Sequence, residues 1–190
     1  VPDSKTGLDI AGAGLTTTTI KGIANTPIPP TATPLNIDIR GNGTKIHGFT
    51  IAGPGWASGL WTGGMLIGGS NVEIYNNAFK VTGASNSGEI SQAIQTWRKG
   101  TISPESDISG LNIHDNTFTH LATSVAGYEG IWINLDPETT TATVNHNTFS
   151  GEVMRAVTTE RSKPTIRNNT ITPDLAAGAY GAGGWQGINI

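Results

Sequence analysis

At 190 residues the chain fits a single domain, 1–190. Its net charge of −3, with no basic stripe, speaks against a nucleic-acid partner. Charged residues make up 13%, about half the usual ~25%; no apolar run is long enough to predict a membrane span, and the absence of cysteine excludes a disulfide framework or thiol chemistry.

The chain opens on Val1-Pro-Asp-Ser4 with no capping pattern. A faint strand phrase starts at Ile20-Lys-Gly-Ile23, after the run Thr16–Thr19. Apolar–polar alternation, the mark of a strand with one wet face, follows at Ile37-Asp-Ile39. Then comes Ile46-His-Gly-Phe49-Thr-Ile51. The same phrase returns, with Asn where Phe49 stands, as Ile74-Tyr-Asn-Asn77-Ala-Phe79 and Ile113-His-Asp-Asn116-Thr-Phe118. Two more copies are Val144-Asn-His-Asn147-Thr-Phe149 and Ile166-Arg-Asn-Asn169-Thr-Ile171. Alternation leads into three of them, at Val72-Glu-Ile74, Leu111-Asn-Ile113 and Ala142-Thr-Val144. Further short strands are predicted at Met65–Ile67, Ala93–Gln95, Ile131–Ile133, Ala156–Thr158 and Ile188–Ile190. No window carries a 3.6-residue apolar period, so essentially no helix is predicted.

A strand this short cannot bury its apolar side alone. Self-similarity at roughly 20 to 50 residues marks a repeat architecture, in which stacking neighbours supply the missing face. Like side chains then stack inside in ladders, and Asn77, Asn116, Asn147 and Asn169 are expected to form one, ended by Phe49. An Asn at a tight corner tolerates the left-handed conformation and bonds to nearby backbone. The anchors Ile46, Ile74, Ile113, Val144 and Ile166 lie 28, 39, 31 and 22 residues apart. The shortest interval reads as a bare rung, and the surplus in the others loops out over about 52–64, 80–92, 119–129 and 172–187, from one corner of the coil.

These phrases resemble the right-handed parallel β-helix superfamily, which includes pectate lyases and other polysaccharide-processing enzymes. The resemblance covers roughly residues 8–190. It implies an all-β, right-handed, single-stranded parallel β-helix of about six to seven rungs, with loops projecting from one edge and little or no helix. It implies a groove between the stacked loops and the neighbouring sheet, a polysaccharide lying in it, and a secreted or cell-surface location. For a lyase it implies Ca²⁺ held by carboxylates and an Arg or Lys base. The Asp and Glu residues here are scattered and match no such cluster, so no metal site is assigned. The chain ends on Gly187-Ile-Asn-Ile190, which reads as a new strand. Because solenoids need capped ends, flanking domains or a homo-oligomer are expected to cover them.

Five Trp in so polar a chain point to a ligand. Trp132, between two inward Ile residues, is expected to face out of the sheet. Trp56, Trp61 and Trp185 lie in Gly-rich loops, and Trp97 follows a strand. Exposed aromatic faces suit sugar rings, although loop Trp also serve to plug loops onto a coil. Arg155 and Arg161 are candidates to meet carboxylates, and Glu129, Glu160 and Arg155 to carry acid–base chemistry; each is equally readable as a solvated or ion-paired surface charge. Asp136-Pro-Glu138 reads as a turn. His47 and His114 share an outward slot with Tyr75 between them, His146 sits at a corner and His120 in a loop, which is no metal set. Asn42-Gly-Thr44 and Asn168-Asn-Thr170 match the glycosylation triplet.

The expected function is extracellular polysaccharide recognition, with polysaccharide lyase or glycoside hydrolase activity in the groove. The alternative is a non-catalytic surface, adhesion or structural module, which needs no catalytic constellation; a trimeric phage-type spike is a further possibility. An ice-binding solenoid is disfavoured, because Thr16–Thr19 has no counterpart at the matching slot of later rungs.

Overall fold

The computed structural model describes residues 1–21, 35–52, 62–81, 90–96, 108–120, 129–135, 139–151, 155–159, 162–173 and 186–189. These residues contain strands and turns and no helix. The strands fall into six rungs of three. Rung one is β1 (Asp9–Ala11), β2 (Thr19–Lys21) and β3 (Leu35–Ile39); rung two is β4 (Lys45–His47), β5 (Thr50–Ala52) and β6 (Thr62–Ile67). Rung three is β7 (Glu73–Tyr75), β8 (Ala78–Val81) and β9 (Ile90–Thr96); rung four is β10 (Leu111–His114), β11 (Thr117–His120) and β12 (Glu129–Leu135). Rung five is β13 (Ala142–Asn145), β14 (Thr148–Gly151) and β15 (Arg155–Thr159); rung six is β16 (Thr165–Arg167), β17 (Thr170–Pro173) and β18 (Gln186–Asn189). The first strands of all rungs pair in order as sheet A, the second as sheet B and the third as sheet C, each six-stranded. Every pairing is parallel, and the crossovers make a right-handed parallel β-helix.

Stacking in register is what lets strands of three to seven residues persist. Sheet A contributes Ile10, Ile46, Ile74, Ile113, Val144 and Ile166 to one inward line. Sheet B contributes Ile20, Ile51, Phe79, Phe118, Phe149 and Ile171. Sheet C contributes Ile37, Met65, Ile94, Ile133, Val157 and Ile188. Phe79, Phe118 and Phe149 stack face to face with centroids 4.7 Å apart, at interplanar angles of 8° and 9°. That spacing is the rung spacing itself. The faint copy at Ile20 belongs one strand later than the sequence suggests: Ile20 pairs with Ile51, and Ile10 takes the slot of Ile46.

The corner from sheet A to sheet B holds the expected Asn ladder. The Oδ1 of Asn116 accepts from the backbone N–H of Asn77 at 3.0 Å, that of Asn147 from Asn116 at 3.0 Å, and that of Asn169 from Asn147 at 2.9 Å. Each Nδ2 donates downward as well: Asn77 to the carbonyl of Ile46, Asn116 to Ile74, Asn147 to Ile113 and Asn169 to Val144. Phe49 ends the ladder, but its N–H still finds Asn77 Oδ1 at 3.1 Å. One expectation needs correction. The left-handed residue is not the ladder Asn but the one before it: Asn76, Asp115, His146 and Asn168 have φ between 49° and 55°, and Gly48 has φ 77°. The turn thus places one residue at positive φ on the rim and swings the next side chain into the core. Gly48 is required there because an added Cβ would lie 2.7 Å from the carbonyl oxygen of Gly12.

Most of the longer connections share one corner, but the longest, 97–110, joins β9 in sheet C to β10 in sheet A, so the expectation of a single corner holds only in part. Segments 22–34, 53–61, 82–89, 121–128, 152–154 and 174–185 each join the end of a sheet B strand to the start of a sheet C strand. Beyond rung one, the sheet A to sheet B turns are only two residues long.

Candidate functional site

The sequence-predicted site lies where those connections meet sheet C. Glu129 opens β12, and Trp132 lies three residues further along it. Ile133 in the same strand is fully buried. By register Trp132 falls in the slot of Ala93 below and Ala156 above, since Ile133 pairs with Ile94 and with Val157. This slot has outward parity, yet Ala93 and Ala156 are 5% and 0% exposed, and outward Leu66 is 2% exposed. Leu66, Ala93 and Ala156 are thus buried, while Gln95, Asn134 and Thr158 on the same outer face are partly exposed.

Arg155 opens β15 and pairs with Ile131. It shares parity with the buried Val157 and Thr159, so it sits on the inward side of the strand, at its mouth. It is half-buried and already engaged in an interaction. β15 ends at Thr159, which pairs with Leu135 at the far end of β12 from Glu129. Six residues of extended chain span ~20 Å, so the start of β12 and the end of β15 are not neighbours. Glu160 follows Thr159 in sequence and itself lies outside the described residues, as do Arg161, Trp56, Trp61, Trp97, Trp185 and the turn Asp136–Glu138. Within the described part, the structure brings Glu129, Trp132 and Arg155 to the first half of two neighbouring strands.

Sheet A carries a network on its outer face that the sequence only partly discloses. His47, Tyr75 and His114 are in register and stack, with centroids 4.5 and 5.2 Å apart. Carboxylates hold the ring edges: His47 Nε2 to Asp9 at 3.0 Å, His114 Nε2 to Glu73 at 3.1 Å and His114 Nδ1 to Asp115 at 2.7 Å. Lys45 Nζ lies 2.9 Å from Glu73. The hydrogen bond from Lys45, and then that from His114, hold the Glu73 carboxyl below its usual range; the same contact raises Lys45. Rings that stack on each other present edges, not faces, so this strip is a brace between rungs before it is a platform for sugar. The register signal was readable in the aligned phrases, where His, Tyr and His occupy one slot; their carboxylate partners were not. Among the described residues, no group of three or more His, Asp or Glu side chains is arranged to hold a metal ion.

The glycosylation triplets also resolve as corners. Asn42 Oδ1 accepts from the Ser70 N–H at 2.8 Å, and Thr44 is fully buried. Asn168 is an exposed left-handed residue whose amide meets His146 at 3.3 Å. A recess of about 350 Å³ at rung six, lined by Thr159, Ser162, Lys163, Pro164, Ile166 and Ile188, contains none of the predicted site residues. No helix among the described residues is long and apolar enough to cross a membrane. No known protein family, curated protein or solved structure matches this chain.

Proposed function

We propose that this is an extracellular polysaccharide-binding β-helix whose ligand runs along the sheet B to sheet C corner. The observation that carries this reading is that five of the six connections of eight or more residues leave the same corner. Trp56, Trp61 and Trp185 belong to those connections, and Glu129 and Trp132 lie at the start of the strand that one of them feeds. A repeating polymer suits a repeating edge. Trp side chains offer apolar area at low entropic cost, and Arg161 supplies a cation for an acidic sugar.

Binding without turnover is the form of this reading that the register favours. A hydrolase needs two carboxyl groups about 5 to 9.5 Å apart, and the strand ends next to Glu129 and Glu160 are ~20 Å apart. Arg155, as a base for β-elimination, takes the inward parity of its strand. Lyase chemistry is a second reading, resting on Glu129 and Arg155 near the starts of adjacent strands.

A polysaccharide panel with and without Ca²⁺ separates these readings. Retention without new reducing ends or unsaturated product is expected, and Trp132→Ala is expected to weaken retention by about two- to tenfold, the worth of one lost aromatic stack. Unsaturated product would establish the lyase. Absence of retention on every glycan would remove the ligand and leave a structural module.

A further inference from the structure

The outer face of sheet B carries hydroxyls in a lattice. Thr19 is in register with Thr50, Ala78, Thr117, Thr148 and Thr170, so every rung but the third has Thr in this slot. Two residues along each strand, Lys21, Ala52 and Lys80 give way to Thr119, Ser150 and Thr172. The expectation that Thr19 has no counterpart in later rungs is thereby overturned. Unequal loop lengths hid the counterparts, and only the strand pairing aligns them.

Rungs four to six therefore present Thr117 and Thr119, Thr148 and Ser150, and Thr170 and Thr172. Neighbouring rungs are ~4.8 Å apart and alternate residues along a strand ~6.7 Å apart. Thr117, Thr148, Thr170 and Thr172 are exposed. Thr119 Oγ1 and Ser150 Oγ lie 3.2 Å apart, which holds one edge of the array in place. Threonine is stiff about χ1, so little side-chain freedom is lost when such a face meets a partner.

The chemistry of the patch selects its partner. These six positions carry no charge, which gives nothing to a phosphate or a uronate. They carry no aromatic ring, which gives nothing to a stacked sugar. Against liquid water, each hydroxyl only exchanges one hydrogen-bond partner for another, and the net gain is small. A gain across the array requires donors and acceptors already fixed at a repeat of a few Å. We propose that this face binds the surface of ice. Lys21 and Lys80 interrupt the same face in rungs one and three, and Thr50 is buried with its hydroxyl on the Leu15 carbonyl at 2.6 Å. So small a patch predicts inhibition of ice recrystallisation rather than a large depression of the freezing point.

The test uses the full chain in two assays: partition into slowly grown ice, and recrystallisation of a polycrystalline ice film. The parent protein is expected to enter the ice and keep the grains small, and Thr148→Lys to lose both effects. Thr148→Ser, which keeps the hydroxyl, is expected to retain most of them. Circular dichroism and thermal unfolding of each variant keep a folding defect from passing as a loss of binding. Exclusion of the parent from ice at the level of a control protein, or a folded Thr148→Lys that behaves as the parent, would overturn the proposal. The glycan reading is independent of it: Trp132→Ala leaves ice partition unchanged, and Thr148→Lys leaves glycan retention unchanged.

Discussion

At the scale of residues, the Asn ladder does the most structural work per side chain. Asn116 is 1% exposed. Its Oδ1 serves the Asn77 N–H, and its Nδ2 serves the carbonyls of Ile74 and His114, at 2.8 to 3.0 Å. Asn116→Ala would strand these three buried groups, each costing about 1–3 kcal/mol. A loss on the order of 3–5 kcal/mol is expected, read as a lower denaturant midpoint at unchanged slope. Glu73 sets the acid behaviour of the sheet A strip. Its folded pKa lies below the unfolded value, because Lys45 and His114 bond its charged form. The stability this contributes is present above the unfolded value of about 4.3 and is lost as pH falls through the folded one. Glu73→Gln is therefore expected to lose less stability than the parent on acidification below pH ~4.3, which a series of unfolding curves against pH will reveal. The raised Lys45 is the same contact seen from its other partner, and it acts only at the alkaline end.

At the scale of elements, the strands are too short to stand alone, and their stability lies in the lines of side chains between rungs. Phe118 sits between Phe79 and Phe149 and is fully buried. Phe118→Ala removes the stacks with Phe79 and Phe149 and opens a cavity in the core line of sheet B, so a cost of about 3–5 kcal/mol is expected in equilibrium unfolding. Phe118→Leu, which keeps most of the volume, is expected to cost less. The strand phrases were legible because alternation is local: an inward residue every second position reads directly as a face. The left-handed corner residue was misread by one position because Asn76 and Asn77, or Asn168 and Asn169, are alike in composition. Only their backbone angles and burial tell the rim residue from the ladder residue.

At the scale of the whole molecule, the β-helix sorts its surface into three different faces. Sheet A is braced by stacked rings and carboxylates. Sheet B bares a hydroxyl lattice in its later rungs. Sheet C is fed by five of the six connections of eight or more residues, and its outer face is buried at Leu66, Ala93 and Ala156 but partly exposed at Gln95, Asn134 and Thr158. Two ligands of different chemistry can therefore be tested on one chain without interfering, as the Trp132 and Thr148 variants are designed to do. The candidate site was less legible than the fold. Glu129, Trp132 and Arg155 are singled out by residue type, but type does not tell the inward parity of Arg155 or the distance from the start of β12 to the end of β15.

The sequence by itself determined the coil, its inward lines and its Asn ladder, because each is written in a period of two or in a phrase that repeats. The tertiary structure alone decided which outward residues become neighbours. Rungs of 22 to 39 residues bring Thr117, Thr148 and Thr170 into line, and His47, Tyr75 and His114 into a stack. The physical reason is that strand pairing measures register by backbone hydrogen bonds, whereas the chain measures distance through connections of unequal length.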